Sequence, residues 1–145
     1  MPENALRTLD EAGHRLTAPR RTVASVLDGR EAHFTAADLL AEARARQPGI
    51  GRATVFRALD LFMDLGIVER LDLPTGEHAY VVCQPDLHHH HVVCSNCGRT
   101  IDIDDRGIRA ITKKVAKRTG YRIEHHRVEM FGTCPACRKG RSTAR

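Results

Sequence analysis

The chain has no tryptophan, and aromatic residues make up only 4% of its 145 positions. A core must therefore rest on Leu, Val, Ile and Ala, and a half-chain unit built from these is near the size where staples such as metal ions become common. No apolar run approaches the roughly 18 to 20 residues needed to span a bilayer. The opening MPENALRTLDEAG carries acids and lacks an apolar signal core. A cytoplasmic protein without membrane association is expected. A disulfide framework is also missing: five cysteines are an odd number, and thiols that stay reduced are used for metal or redox chemistry. Hydrophobic residues at 41% and charged ones at 28% exclude a collagenous or generally disordered chain. At about 100 to 200 residues per domain the length allows one ordinary domain or two small ones. Two small domains are expected.

Charge is unevenly spread. The formal net charge is +5, yet residues 1–82 hold ten Arg against twelve acids, or −2, and residues 83–145 hold thirteen basic groups against six acids, or +7. Bulk charge would point to the second half as a nucleic-acid binder. Any DNA contact by the first half must instead rest on where particular arginines are placed.

Four helices are expected in the first half. Glu3 to Ala12 is amphipathic and stops at Gly13; Thr17 caps a segment with Pro19 in its first turn and Val23, Val26 and Leu27 inward, closing at Gly29. Thr35 begins TAADLLAEARARQ, which Pro48-Gly49 breaks, and from Gly51 the positions Val55, Leu59, Phe62 and Met63 keep helical spacing up to Gly66. The period then changes. IVERLDL, a PTGE turn and HAYVVC read as a hairpin, and helices followed by a small hairpin describe a winged helix-turn-helix. QPDL is a candidate hinge because Pro85 removes a backbone donor. Beyond it, HHVVCSNCGRTIDID reads as strand, knuckle and strand, Arg106 to Thr119 as a helix, and YRIEHHRVEMFG as a strand. The expected class is α+β: a winged-helix domain over 1–82, a hinge over 83–87 and a small α/β domain over 88–145.

Cys94 and Cys97, then Cys134 and Cys137, form two C-x-x-C pairs. Zn²⁺ in a structural site takes four tetrahedral ligands, and each pair lets two sulfurs reach one ion from a tight turn. Without a βαβ setting a redox pair is disfavoured. The ion would pin the start of the second domain to its end. His88, His89, His90 and His91 lie on a strand whose side chains alternate, so His89 and His91 face one way and His88 and His90 the other, giving two half-sites. Cys83 is the leftover thiol. A Cys and two His leave one position on a tetrahedral ion, for which Asp64 and His33 are the candidates. Ligands drawn from both domains would make their relative orientation depend on metal, as a sensor requires.

GHRLTAPR, HFTAADLL, GRATVFRAL, HHHHVVCSNCGRTIDI and FGTCPAC together resemble the ferric uptake regulator family over nearly the whole chain. The resemblance implies a metal-dependent transcriptional repressor, with a winged-helix domain hinged to a dimerisation domain. It implies that Cys94, Cys97, Cys134 and Cys137 hold the structural zinc. His89 and His91 fall on sensory positions; Cys83 and Asp64 match zinc-responsive members, whereas His33 matches a ligand of iron-type sensors. The thiolate favours Zn²⁺ as the regulatory ion, with Fe²⁺ or Mn²⁺, and iron or peroxide response, as the alternative. A further family site would use His88, His90 and His126 with a carboxylate from the following helix, where this chain has Arg109.

In a helix-turn-helix, Arg57 and Phe56 on the exposed side of the fourth helix would meet a guanine edge and a thymine methyl. Phe56 stands where the family commonly has Tyr. Arg52 and Thr54 would bind phosphate at the helix start. Arg15 resembles the family's minor-groove residue, and Arg20 and Arg21 look like backbone contacts. Lys113, Lys114, Lys117 and Arg118 read as a solvated helix face. The expected partners are a palindromic DNA operator and a second copy of the chain, with no small-molecule substrate other than the metal ion. An enzyme is not expected, since H-E-x-x-H and a general base are lacking. A cytoplasmic metal buffer would use the same His and Cys clusters but leave Arg57 without a purpose.

Overall fold

The computed structural model describes residues 2–83 and 89–140. It divides into two compact units, Met1–Asp86 and Leu87–Arg145. Of the expected hinge only Cys83 is among the described residues; 84–87, His88 and the tail 141–145 lie outside them.

In the first unit, helices α1 (Pro2–Glu11), α2 (Ala18–Leu27), α3 (Ala36–Arg46) and α4 (Arg52–Asp64) precede the hairpin β1 (Val68–Asp72) and β2 (His78–Val82). Local chemistry sets the starts. Thr17 accepts from the Arg20 amide at 3.4 Å ahead of α2. Thr35 and Asp38 form a reciprocal capping box on α3, at 3.0 and 2.9 Å. The apolar stripes then converge on one core in which Leu9, Val23, Leu39, Val55 and Phe62 are all fully buried. The hairpin pairs from Val68↔Val82 to Asp72↔His78. Phe34 adds a bridge that periodicity did not signal: its amide donates to the Tyr80 carbonyl at 2.9 Å and its carbonyl accepts from the Tyr80 amide at 2.8 Å. The wing is thus fastened to the entry of α3.

In the second unit a sheet of order β4-β3-β5 is built from β3 (His89–Cys94), β4 (Thr100–Asp104) and β5 (Glu129–Gly132), with α5 (Arg106–Thr119) and the short α6 (Pro135–Arg138). β4 is antiparallel to β3 and β5 parallel to it. Gly120, at φ +75°, ends α5 in the left-handed conformation that glycine adopts without steric cost. One expectation is corrected. YRIEHHRVEMFG was read as a single strand, but only Glu129–Gly132 pairs, against His91–Cys94. The parallel pairing starts at His91↔Glu129, and upstream of it His126 is drawn toward Asp105, its Nε2 2.9 Å from Oδ1.

The two cores differ in depth. Among the described residues of the second unit, only Val93 and Cys94 count as buried apolar side chains, and α5 buries none. Ile101, Ile111, Val115 and Met130 are exposed. In the first unit, by contrast, Phe62 is 0% exposed, and a Phe→Ala truncation in such a core costs roughly 3–5 kcal/mol. Phe62→Ala is therefore expected to lower the unfolding free energy of the first unit by that amount, read from denaturant titration followed by helical circular dichroism, while zinc content stays unchanged.

Candidate functional site

The four knuckle cysteines converge. The Sγ atoms of Cys94, Cys97, Cys134 and Cys137 all lie within 4.8 Å of one another, with Cys97 Sγ 3.8 Å from Cys134 Sγ. The backbone explains how. Cys94 closes β3, its carbonyl accepts from the Gly98 amide at 2.9 Å, and Gly98 turns at φ +78°. The Ser95 amide donates to Gly132, the end of β5, at 2.7 Å, bringing the second knuckle alongside. The Cys134 amide donates directly to Cys94 Sγ at 3.3 Å. A set of four soft donors at this spacing fits Zn²⁺.

The thiols are electrostatically unequal. Amides of Cys97 and Cys134 lower Cys94 from 9.0 to about 6, against the opposing effect of burial. At Cys97 the Arg99 amide pulls downward, but burial and the thiols of Cys94, Cys134 and Cys137 outweigh it and raise the group to about 11. Cys134 is lowered, chiefly by the Cys137 amide and thiol. The Cys94 thiolate is ready near neutrality, while Cys97 gives up its proton only to a cation.

Cys83 lies one residue beyond β2, 7% exposed, with its amide donating to the Ile67 carbonyl at 2.7 Å. Its neighbour is Glu69, whose carboxylate lies within 4.8 Å of the sulfur. Glu69 pairs with Val81, so by strand alternation Glu69 and Cys83 share a face of the hairpin. Sequence reasoning missed Glu69, although its parity with Ile67 and the two-residue step from Val81 to Cys83 carried the signal. Asp64 ends α4 on the surface, and His33 precedes the Phe34 bridge. Among the described residues neither joins a group of converging donors.

On β3 the backbone of His89 pairs with Asp104 and that of His91 with Asp102. The buried His91 has its Nε2 3.4 Å from Asp102 Oδ1, a carboxylate also missed from sequence. On the other face, His90 Nε2 donates to Asp105 Oδ1 at 2.7 Å and His126 Nε2 to the same oxygen at 2.9 Å. Of the His88, His90 and His126 set that the resemblance implies, His90 and His126 lie together and His88 is outside the described residues. Sequence reasoning did not foresee that Asp105 would supply the acid, with Arg109 Nε donating to Asp105 Oδ2 at 2.8 Å.

The exposed face of α4 carries Arg57, whose guanidinium donates to the Thr54 hydroxyl at 3.3 Å. Phe56 departs from its expected place on the exposed side. It is half-buried against the core, with the Arg52 guanidinium 5.3 Å from its ring centroid. At 100° per residue it stands about 60° from Leu59, at the margin of the buried stripe, and a ring of that size turns inward. α4 starts at Gly51 without a side-chain cap and with no acid in its first turn, so its amides and Arg52 present positive potential. Arg15 is exposed, and Arg20 donates to the Arg15 carbonyl at 2.8 Å. Arg21 donates to the Leu16 carbonyl at 3.3 Å.

Residues 11–131 match the ferric uptake regulator family. The chain is 37% identical over 130 residues to the zinc uptake regulation protein of Mycobacterium tuberculosis (strain H37Rv), covering 90% of this chain and 99% of that one. It is 32% identical over 137 residues to the peroxide operon regulator of Bacillus subtilis (strain 168), covering 94% and 93%. A solved zinc uptake regulator in complex with zinc and DNA superimposes with a TM-score of 0.79 at 27% identity, over 96% of this chain and 93% of that one.

The thiol asymmetry fixes the direction of a pH effect. Binding of Zn²⁺ displaces thiol protons, so affinity should fall by about tenfold per displaced proton for each pH unit downward. Above about pH 6 Cys94 is already ionised and adds nothing to that slope; below it the slope should steepen by one proton. Competition with a chromophoric chelator between pH 8 and 5 measures this. Cys134→Ser should remove one zinc per chain and lower the melting temperature of the second unit, read by metal analysis and calorimetry.

Proposed function

Because the chain belongs to the ferric uptake regulator family, we propose that it is a zinc-sensing transcriptional repressor that binds palindromic operators of metal-uptake genes as a homodimer. It is a metal-responsive DNA-binding regulator of that family, built on a winged helix and a structural tetrathiolate zinc site. The observation that carries the zinc reading is Cys83, a buried thiol outside the tetrathiolate with a carboxylate beside it. A soft sulfur donor selects Zn²⁺ over ions that prefer oxygen.

In this reading residues 1–82 form the DNA-binding domain, 83–87 the hinge and 88–145 the dimerisation domain. Cys83, His89 and His91 are the sensory donors, completed by Asp64 or His33, with Glu69 a further candidate from its place next to Cys83. Bound zinc would neutralise the thiolate and hold these donors in one geometry. Arg57 reads a guanine edge, which is worth about 1–3 kcal/mol of discrimination in a good bidentate pair. Phe56 presents only the margin of its ring to a thymine methyl. Arg15 reaches the minor groove, while Arg20, Arg21, Arg52 and Thr54 contact the backbone phosphates and set the register. Exposed Ile101, Ile111, Val115 and Met130 supply apolar surface for a second copy, whose two-fold symmetry matches an operator of two half-sites.

Among the described residues no helix is long and apolar enough to cross a membrane, and the regulator works in the cytoplasm without enzymatic activity. A second reading, response to Fe²⁺, Mn²⁺ or peroxide, is favoured by one observation: the Asp102 oxygen 3.4 Å from His91 adds a hard donor to the set.

Operator binding under buffered Zn²⁺, Fe²⁺ and Mn²⁺ separates the readings. Zinc should tighten binding to a specific duplex. Cys83→Ser and His89→Ala should each shift the zinc midpoint at least tenfold, and unchanged metal dependence in both would sink the assignment. Arg57→Ala should weaken specific binding by about 1–3 kcal/mol with little change in binding to random DNA.

A further inference from the structure

The cluster of His90, Asp105 and His126 has the spacing of a metal site, with one donor atom from each within 4.8 Å of the others. Its chemistry points elsewhere. Asp105 is the only acid of the three, and Arg109 balances it from 2.8 Å, so with neutral imidazoles the four side chains sum to zero charge. The tetrathiolate, fully ionised, brings four negative charges. A divalent ion gains far less from a neutral set than from an anionic one, and it would meet the Arg109 cation as a repulsive neighbour.

The donor atoms are already committed. Asp105 Oδ1 receives both imidazoles and Oδ2 receives Arg109. The carboxylate is also built for this use. Asp105 occupies the N-cap position of α5 but makes no side-chain cap bond there, its oxygens being turned into the cluster. Arg109 follows one turn later on the same helix, so the pair is encoded locally. His88, the other histidine expected in such a site, lies outside the described residues. The family site expected here would use a carboxylate at position 109, and the arginine changes the local charge by two units. The residues present do not fit a divalent ion.

We infer that this cluster is a metal-independent ionic clasp, in which the Arg109 guanidinium supplies the positive charge that an ion would otherwise bring. It ties β3, the turn into α5 and the 121–128 stretch together through residues 15 and 21 positions apart from Asp105. The inference does not depend on zinc being the sensed metal, and it is tested without DNA.

Tightly held zinc per chain would be measured by elemental analysis on full-length protein equilibrated with buffered Zn²⁺. The wild type and His126→Ala should hold the same number of ions, with His126→Ala melting at a lower temperature. Arg109→Glu, at a side chain 72% exposed, should gain one further equivalent because it restores an anionic set. A folded His126→Ala protein that loses an equivalent, or an Arg109→Glu protein that gains none, overturns the clasp. If His126→Ala does not fold, the outcome for Arg109→Glu decides alone.

Discussion

The second unit depends on convergence of four sulfurs from opposite ends of its chain. Among its described residues, two side chains, Val93 and Cys94, supply the buried apolar surface, and one of those two is itself a member of the thiol cluster. Hydrophobic burial on that scale cannot offset the conformational entropy of ordering a sheet and a helix. What holds the knuckles together is a set of amide-to-carbonyl and amide-to-sulfur bonds that bring the thiols near enough to repel one another once ionised. A cation converts that repulsion into the main attractive term, which is why small units of this kind are built around metal.

Two devices then share the work of linking distant segments. The thiol cluster joins the end of β3 to the turn before α6, and the His90–Asp105–His126 group joins the start of β3 to the entry of α5. They sit at opposite ends of one strand and use opposite chemistry, one strongly anionic and one charge-balanced. The first half of the chain needs neither. Its helices are started by side-chain caps at Thr17 and Thr35 and packed around Phe62. Its negative formal charge coexists with a positive helix start at α4 because position, not the total, decides the local potential.

What could be read from sequence was whatever local chemistry dictates. α5 runs Arg106–Thr119 as expected, since its period, the acid turn before it and Gly120 after it are all local signals. The C-x-x-C pairs were legible because their spacing has few other uses. Glu69 and Asp105 were not. An acid on an alternating strand reads as a solvent-facing residue, and an Asp before a helix reads as its cap; only tertiary placement shows one beside a thiol and the other beneath two imidazoles. Phe56 lay at the margin of a stripe, where a helical wheel gives no decision. The stretch 121–128 has the composition of a strand, but pairing with β3 starts only at Glu129 and His126 is held at Asp105 instead.

β3 carries different duties on consecutive residues: His90 serves one side of the sheet, His91 the other, and Cys94 the knuckle three positions on. Sidedness in an extended chain alternates without exception, so adding or deleting a single residue between His91 and Cys94 would send each upstream histidine to the wrong side at once. Evolution can vary the chemistry of this segment one side chain at a time, but its length is a frozen quantity.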